Sequence, residues 1–559
     1  MHDFAISEAL IYDGSGGAPY RGGVGVREGR IVEIGRTVGA AHAAVRADGL
    51  ALMPGIIDSH THFDAQATWD PWLVPSPALG VTTAIIGNCG FTIAPCKPEH
   101  RDLTMRNLTH VEGMALAVLR RGIRWDFQSF PDYLAMLERQ GLGPNVAAFF
   151  GHSSVRTFVM GEAATERAAT AAEIAAMRAL LLDAMRAGAI GFASSTSGQH
   201  NGEAGVPMPS RLADETEFRA LVGALGEAGR GLFMLTKGAG TSIPFLEDLA
   251  AQSGRPVMIA ALLHNPTNPD LTFADLRDIA AAQARGRRLF GQVSCCPLTN
   301  DFTMASPYPF EGLAAWAPAM RAEGEALCRL YADAGFRRRV REELATPARV
   351  RLFNNEWDKL DLLQAADPAH RVLEGKSVAA LAHEAGKDPL DWLLDFALAE
   401  KLQSIFTAVL LNADEAAVGR MLRDPHACIS LSDAGAHLTF FCDAGFGLHL
   451  LGHWVRERAT LSLAEAVHHL TGRQADLFGL KGRGRLEVGA MADLMLFDPA
   501  TVGRGPKTRV FDLPGGAARL TTPARGLHGV WVNGQRVADA TGLVDDDRLP
   551  GQLIRDFAA

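Results

Sequence analysis

Two histidines separated by one residue, His60 and His62, are the strongest chemical signal in the sequence. They follow the run Pro54-Gly55-Ile56-Ile57-Asp58-Ser59, whose apolar residues are typical of a buried strand. Alternate residues of a strand point to the same face, so both imidazoles can bind one metal ion. A His-x-His pair also occurs by chance on surfaces, and the position at the end of a strand is what favours a metal site here.

A thiol and a carboxylate follow two other strand-like segments. Cys89 stands in Gly87-Asn88-Cys89-Gly90, and Asp433 stands in Ser432-Asp433-Ala434-Gly435. A thiolate is a soft metal ligand, and an aspartate beside a metal can also transfer a proton between water and substrate. The alternative interpretations are a small buried cysteine and an aspartate that caps a helix. With the two histidines, Asp433 is interpreted as a ligand and as the catalytic residue.

Further polar residues follow other strand-like segments. His264 comes after a very apolar run and is interpreted as a ligand of a second metal site. Lys237 has three alternatives: an ordinary ion pair, a contact to a substrate carboxylate, or a carbamylated lysine that bridges metals. His152 either bonds a loop or contacts substrate. Arg156 is a candidate for bidentate binding of a carboxylate, or else an ordinary surface arginine.

The elements that must position these residues alternate between apolar runs and Ala/Leu/Arg-rich segments with helical spacing. This pattern predicts a parallel sheet with crossover helices, such as Ala171–Ala187 and Glu215–Ala228. The predicted strands are Gly55–His60, Thr82–Asn88, Asn145–Gly151, Ala189–Ser194, Gly231–Thr236, Pro256–Leu263, Arg288–Ser294 and Cys428–Ser432. We therefore predict an α/β fold with a (β/α)8 TIM-type barrel, whose site lies at the C-terminal ends of the strands.

The two ends of the chain have a different texture, with short strands separated by turns. Asn533-Gly534 is a strong hairpin signal. Residues 1–53 and 485–545 are predicted to form a small β-sandwich domain, and residues 54–484 the barrel. The segment of about 297–427 is predicted as a largely helical insertion between strands seven and eight, with helices at Leu327–Leu344 and Ser377–Ala385. Such an insertion often covers a barrel mouth, whereas Gly503–Thr522 is predicted to be a surface loop.

Composition excludes several classes of protein. The chain has 559 residues, 48% hydrophobic and 21% charged, which is enough apolar material for a large core. Its formal net charge of −9 argues against nucleic-acid binding. No apolar run approaches the ~20 residues needed to span a bilayer, and the N-terminus lacks the pattern of an export signal. Seven scattered cysteines fit reduced thiols in the cytoplasm.

Taken together, these residues resemble the amidohydrolase superfamily, and specifically its D-aminoacylase (N-acyl-D-amino-acid deacylase) family. The resemblance covers nearly the whole chain. It implies a barrel that uses zinc, as one or two divalent ions, to hydrolyse the amide of N-acylated D-amino acids. It also implies that His60, His62, Cys89 and His264 bind metal and that Asp433 transfers the proton. The segments that carry it are Pro54–His62, Gly87–Gly90, Gly151–Arg156, Ala189–Gly191, Ser432–Gly435 and Gly484–Leu494.

The sequence departs from that family at two strand ends. The family's fifth strand ends in a His-Met-Arg-like segment, whereas this chain has Phe233-Met234-Leu235-Thr236-Lys237-Gly238. Its sixth strand tends to end in paired histidines, whereas this chain has Leu262-Leu263-His264-Asn265. The second metal site is therefore altered or lost. Either Lys237 replaces the fifth-strand ligand, as a carbamate, or the enzyme works with one metal.

We therefore expect a hydrolase that cleaves an amide C–N bond of a small molecule, with Arg156 or Lys237 holding the substrate carboxylate. One alternative is a cyclic-amide hydrolase of the dihydropyrimidinase or hydantoinase kind. That family carries a lysine on the fourth strand, where this chain has Ser194-Ser195-Thr196. The other alternative is a non-catalytic ligand-binding barrel. The substrate's acyl group, side chain and stereochemistry are not encoded in any motif, and pairing of two copies is expected only because large barrels often pair.

Overall fold

Eight parallel strands form the central sheet of the computed structural model, which describes residues 1–346, 351–438, 443–544 and 548–558. Each strand pairs with the next one along the chain, from the first to the eighth. Nearly all of their residues are buried, as expected when helices cover a parallel sheet. The eight predicted strands are confirmed, with the bounds Ile56–Asp58, Val81–Ile86, Asn145–Gly151, Gly191–Ser195, Leu232–Thr236, Val257–Leu262, Leu289–Val293 and Ala427–Ile429.

The first and eighth strands meet just beyond their C-terminal ends. Thr61 forms a parallel bridge with Ala434. The backbone N–H of His62 donates to the carbonyl of Ala434 at 2.7 Å, and the N–H of Asp433 donates to the carbonyl of His60 at 3.1 Å. We call these residues the closure seam. The seam closes the sheet into the predicted barrel, and it fixes His60, His62 and Asp433 relative to one another.

Helices cover the outside of the barrel. The two predicted helices are confirmed at their predicted bounds. Ala171–Ala187 begins at a capping box between Thr170 and Glu173 and ends at Gly188 in the left-handed conformation. A π-helix spans Leu450–Glu457. The α-helix Glu415–Leu422 leads from the insertion into the eighth strand, and the α-helices outside the insertion are Arg101–Val111, Leu116–Gly122, Phe130–Gln140, His152–Met160, Ala171–Ala187, Glu215–Ala228, Ile243–Ser253, Leu271–Ala284, Phe446–His449, Leu463–Leu470 and Gly472–Phe478.

Strands from both chain ends join in one nine-stranded sheet, so the small β domain is built from both termini. Alternate residues of its central strands face opposite sides: Met495 packs into the barrel core and Leu496 into a separate core of the terminal domain. Asn533 and Gly534, both at positive φ, form the predicted two-residue turn. The domain bounds stay a prediction. The nine strands are His2–Ile11, Tyr20–Arg27, Arg30–Gly35, Ala41–Arg46, Ala51–Pro54, Leu494–Phe497, Leu527–Val532, Gln535–Asp539 and Gly542–Leu543.

The segment between strands seven and eight has its own hydrophobic core and a three-stranded antiparallel sheet. The strands of this insertion are Leu298–Thr303, Leu360–Gln364 and Ile405–Leu411, and its helices are Gly324–Ala332, Ala334–Leu344, Val378–Glu384 and Pro389–Ala399. The helix predicted over Leu327–Leu344 is therefore two helices. They separate at Asp333, whose side chain accepts a hydrogen bond from Phe336 N at 2.6 Å and so caps the second helix.

The segment predicted as a surface loop, Gly503–Thr522, instead contains a β-hairpin. Thr508–Leu513 pairs with Ala517–Thr521, and Gly503–Arg504 pairs with Ala524–Arg525. The backbone of Leu520 donates to the carbonyl of Leu438 at 2.7 Å, so the hairpin is attached to the loop after the eighth strand. The Gly, Pro and Arg residues of this segment concealed its few buried apolar positions. Within the described ranges, every helix is too short or too polar to cross a bilayer.

Candidate metal centre

Four donor side chains converge in a buried chamber at the closure seam. His60 Nε2 lies 3.5 Å from Cys89 Sγ and 3.3 Å from a carboxylate oxygen of Asp433. His62 Nε2 lies 3.9 Å from the same sulfur and 3.5 Å from the same oxygen. The chamber has a volume of about 60 Å³, which suits an ion and a water molecule. The structure therefore brings together four of the predicted metal ligands.

The loop after the second strand places Cys89 by a tight turn, Asn88–Gly90. Gly87, Cys89 and Gly90 all have positive φ. A Cβ at residue 90 would come within 2.5 Å of the carbonyl oxygen of Ala193, so only glycine fits there. The Asn88 side chain donates to the carbonyl of Ile85 at 2.8 Å and ties the turn to its strand. The Gly-Asn-Cys-Gly sequence is therefore what aims the thiol into the chamber.

A chain of buried hydrogen bonds fixes the tautomer of His60. The Gln474 amide nitrogen donates to the carbonyl of Ile429 at 2.9 Å, which leaves its oxygen to accept from the Ser59 hydroxyl at 3.0 Å. Ser59 Oγ in turn accepts from Gln292 Nε2 at 3.2 Å. The Gln292 oxygen, 2.6 Å from His60 Nδ1, therefore accepts from a protonated Nδ1. The lone pair of His60 Nε2 is left for the chamber, as a metal ligand requires.

The outer nitrogen of His62 faces a buried carboxylate. Glu112, which follows the helix Arg101–Val111, lies with its carboxylate 3.2 Å from His62 Nδ1 and is only 3% exposed. Burial lowers the pKa of His62, but the charge of Glu112 and the bonds to Asp433 and Cys89 raise it well above the ordinary value. The charge of Glu112 beside Nδ1 favours a proton on that nitrogen and leaves Nε2 for the chamber, as in carboxylate–histidine–zinc triads.

The electrostatics of the chamber favour the charged forms of the thiol and the carboxylate. Burial raises the pKa of Cys89, but His60 and His62 lower it to about 7. Burial also raises the pKa of Asp433, but the bond from His62 and the charges of both imidazoles bring it well below the usual range. Two imidazoles, a thiolate and a carboxylate form a donor set that fits zinc.

The structure does not bring His264 or Lys237 to this donor set. His264 is buried beside Phe273, with ring centroids 6.3 Å apart, and its backbone N–H donates to the Asn412 side chain at 2.7 Å. Lys237 Nζ lies 3.2 Å from Asp275 in an ion pair. The residues that the fifth and sixth strands present to the chamber are instead Thr236 and Ala261. The reason is backbone direction, since each predicted residue lies one or more positions beyond the one that faces inward.

His152 and Arg156 also lie away from the chamber, inside the protein. Glu217 is 2.7 Å from His152 Nε2 and also accepts from the Arg156 guanidinium, and all three residues are fully buried. His152 Nδ1 is 2.8 Å from the Ser194 hydroxyl. Arg156 is therefore a core residue that joins its helix to Glu217, and it does not reach a substrate carboxylate.

His200 is a site residue that the sequence reasoning missed. It lies in the loop after the fourth strand and lines the chamber with His437. Ser195 Oγ accepts from the N–H of Ser197 at 3.1 Å and lies 2.6 Å from His200 Nδ1, so it can donate to that nitrogen. Burial and the neighbouring imidazoles lower the pKa of His200 to about 3. The neutral ring then carries its proton on Nε2. The only sequence signal was a histidine in a Gly-containing loop after a barrel strand.

A larger cavity of about 670 Å³ adjoins the chamber and shares Thr236, Ala261 and Asp433 with it. The ends of strands four to eight line it on one side, and the insertion lines the other with residues that include Leu298 and Leu411. Lys237 and Asp275 also line this cavity. The insertion therefore covers the barrel mouth, and a substrate in the cavity would extend from the four donor groups.

The profile of the amidohydrolase family matches residues 43–538, so the chain belongs to that family. An N-acyl-D-aspartate deacylase of Alcaligenes xylosoxydans xylosoxydans is 29% identical, with 99% of this chain and 95% of the relative covered. The structure of an N-acyl-D-glutamate deacylase from Bordetella bronchiseptica, complexed with zinc and a phosphonate mimic of the tetrahedral intermediate, is 26% identical. Its TM-score is 0.67, with 99% and 100% of the two chains covered. A D-aminoacylase structure with a binuclear metal centre is 25% identical, with a TM-score of 0.67 and complete coverage of both chains. The protein is a metal-dependent hydrolase of C–N bonds other than peptide bonds.

Proposed function

We propose that this enzyme deacylates N-acyl amino acids, with preference for the D-enantiomer, and that its site holds one zinc ion. The observation that carries the proposal is the convergence of His60, His62, Cys89 and Asp433 in one buried chamber. The similarity to deacylases of N-acyl-D-amino acids supports the substrate class.

A single metal ion follows from the residues at the ends of strands five and six. Thr236 Oγ1 lies 3.0 Å from Cys89 Sγ, and Ala261 lines the same chamber. A threonine hydroxyl is a weak ligand for zinc and an alanine side chain is none, so the described ends of strands five and six offer no strong donor for a second ion. Lys237 lines the larger cavity and not the chamber, where it pairs with Asp275, and this position argues against a carbamate that bridges metal ions.

The protein groups divide the chemistry between them. Zinc, when bound, activates a water molecule and polarises the carbonyl of the substrate. Asp433 lines both the chamber and the larger cavity, so it can accept a proton from the attacking water and deliver it to the departing nitrogen. His200 presents Nε2–H toward the chamber, where it can donate to the carbonyl oxygen as negative charge develops. Lys237 is the group we assign to the substrate carboxylate.

The test replaces Asp433 with asparagine, which keeps the shape of the side chain and removes its basicity. We expect kcat for N-acetyl-D-amino acids to fall by about 10²- to 10⁴-fold, while zinc content measured by mass spectrometry stays near one per chain. Asp476→Asn serves as the control, because Asp476 pairs with Arg485 at the surface. Full activity in Asp433→Asn would show that the proposed proton transfer is wrong.

The assay panel also decides between the alternative functions. It contains N-acyl-D-amino acids, their L-enantiomers, hydantoin and dihydrouracil. Hydrolysis of the cyclic amides alone would favour a cyclic-amide hydrolase, although Ser194 and Ser195 hold His152 and His200 where that family has its lysine. A protein that binds no zinc and hydrolyses nothing would be a binding barrel.

Two further proposals concern the surroundings of the enzyme. The six cysteines within the described ranges are free thiols, while Cys442 lies outside those ranges. Free thiols support a reducing compartment, and we assign the enzyme to the cytoplasm. Binding to nucleic acid is not expected at a net charge of −9. Pairing of two copies stays a prediction, which light scattering of the purified protein would check.

A further inference from the structure

The insertion presents an apolar wall to the substrate cavity. Leu298 and Leu411 are cross-strand partners in its antiparallel sheet, and both line the cavity. Leu352 from the insertion, together with Leu263 and Leu431 from the barrel, continues the same lining. Tyr308 is the aromatic residue among the described ones that line the cavity, besides its histidines. A surface of branched aliphatic side chains fits a flexible aliphatic chain better than a planar ring.

The charged groups in the cavity are already matched. Lys237 pairs with Asp275, and Asp443 pairs with Arg504 at 2.7 Å. Arg351 donates to the carbonyl of Glu343 at 3.2 Å and lies 3.6 Å from its carboxylate. Lys237 and Arg351 each have one carboxylate neighbour, but Arg351 also donates to the carbonyls of Glu343 and Thr346, so Lys237 is the cation that can better take a substrate carboxylate. A second carboxylate, such as an aspartate or glutamate side chain would bring, finds no comparable group among the described lining residues.

The cavity is larger than a short N-acyl amino acid requires. Its 670 Å³ corresponds to about 20 non-hydrogen atoms at roughly 30 Å³ each. The head of an N-acyl-alanine, with its carboxylate, α-carbon, methyl group and amide, accounts for less than half of that number. The remaining volume has room for a chain of about ten carbon atoms, and the leucine wall is the apolar part of the lining that such a chain would contact.

We propose that the enzyme acts on N-acyl amino acids whose acyl group is a medium or long aliphatic chain, which lies along the wall formed by Leu298 and Leu411. The inference rests on the proposed deacylase function. It adds that the amino acid has an uncharged side chain and that its carboxylate is held by Lys237. Two of the relatives named above are deacylases of N-acyl-D-aspartate and N-acyl-D-glutamate, whose substrates carry a second carboxylate, and the leucine wall and the matched charges mark a difference in specificity from those two.

The first measurement uses the unmodified zinc-loaded protein and a series of N-acyl-D-alanines with acetyl, butanoyl, hexanoyl, octanoyl and dodecanoyl groups. We expect kcat/KM to rise about two- to fourfold per methylene until the wall is covered, near ten carbons. N-octanoyl-D-glutamate should be at least tenfold poorer than N-octanoyl-D-alanine. Equal or falling kcat/KM along the series overturns the inference and leaves deacylation intact. Hydrolysis of none of the series overturns the proposed function and, with it, this inference.

A variant then locates the acyl chain. Leu411→Trp places an indole in the cavity, and we expect the ratio of kcat/KM for octanoyl over acetyl substrates to fall at least tenfold. Leu363→Trp is the matched control, because Leu363 lies on the same sheet but is 45% exposed and does not line the cavity. In Leu363→Trp the ratio of kcat/KM for octanoyl over acetyl substrates should equal that of the parent. An unchanged ratio in a folded Leu411→Trp, checked by circular dichroism, would mean that the chain lies elsewhere.

Discussion

Replacing Gln292 with leucine should weaken zinc binding without unfolding the barrel. Gln292 lies on the seventh strand, is fully buried, and accepts from His60 Nδ1 at 2.6 Å. Leucine has a similar volume and fills the same space, but it offers no acceptor. The change therefore removes the group that sets the tautomer of His60 while leaving the metal donors in place.

The expected loss of zinc affinity depends on whether the metal-free or the zinc-bound state lacks the hydrogen bond. A buried N–H without an acceptor costs about 1–3 kcal/mol. In the metal-free protein His60 can shift its proton to Nε2 and avoid part of this cost, but a ring that binds zinc through Nε2 must keep the proton on Nδ1. The penalty thus falls on the zinc-bound state, and about 1.4 kcal/mol is a tenfold change in a binding constant. We expect zinc affinity to fall about 10- to 100-fold, the range seen for other outer-shell partners.

The assay is competition for zinc with a chromophoric chelator at several chelator concentrations, accompanied by denaturant unfolding of the metal-free protein. Gln283→Leu is the matched control, because Gln283 Oε1 makes the same kind of contact, 2.7 Å from His426 Nδ1, on the outer helix Leu271–Ala284. It should bind zinc as the parent does. Parental zinc affinity in Gln292→Leu, or equal losses in both variants, would refute the assignment of the tautomer to Gln292.

Three other predictions test the remaining assignments. Zinc titrated into the metal-free enzyme should give full activity at one equivalent, with no further change at a second, because Thr236 and Ala261 face the chamber; isothermal titration and activity in parallel would detect a second site. Arg156→Met should destabilise the fold by about 3–5 kcal/mol, since it removes the cation from the buried Glu217 carboxylate and leaves it the contact with His152, while KM stays unchanged. The pKa of Glu217 is lowered in the folded protein, so the stability that its charged form contributes is lost as the pH falls through that lowered pKa. The difference in unfolding free energy between the parent and Arg156→Met should therefore become smaller below the ordinary glutamate pKa. Lys237→Met should raise KM at least tenfold with a smaller effect on kcat, in steady-state assays with N-acyl-D-amino acids.

The barrel and four of the donors could be predicted because their signals are local. His60 and His62 stand two residues apart after an apolar run, and strand alternation alone puts them on one face. Asp433 follows the last strand in the same way. A parallel barrel gathers such strand ends at one mouth, so the fold class and the approximate position of each residue were enough to bring these side chains together.

Three residues that were predicted at strand ends lie away from the chamber, which shows that a position after a strand does not fix the direction of a side chain. His152, Lys237 and His264 also follow barrel strands, but side chains beyond a strand end no longer alternate in a fixed register, and none of the three lines the chamber. Lys237 comes directly after Thr236, which faces the thiol, and it points instead to Asp275. The partners that decide such cases, Glu217 and Asp275, lie on helices far along the chain, and no short-range pattern announces them.

Gln292 could have been recognised from the sequence as a polar residue in an apolar strand. It is a polar residue in the otherwise apolar strand Leu289–Val293, and a buried amide must find hydrogen-bond partners there. Its partners are Ser59 and His60, which precede it by more than 230 residues. The barrel interior thus joins the candidate metal site to the core through one network, so a polar residue in a buried strand is itself a pointer to a site. Because the closure seam holds His60 and Asp433 by backbone bonds, that network orients side chains whose backbone positions the fold has already fixed.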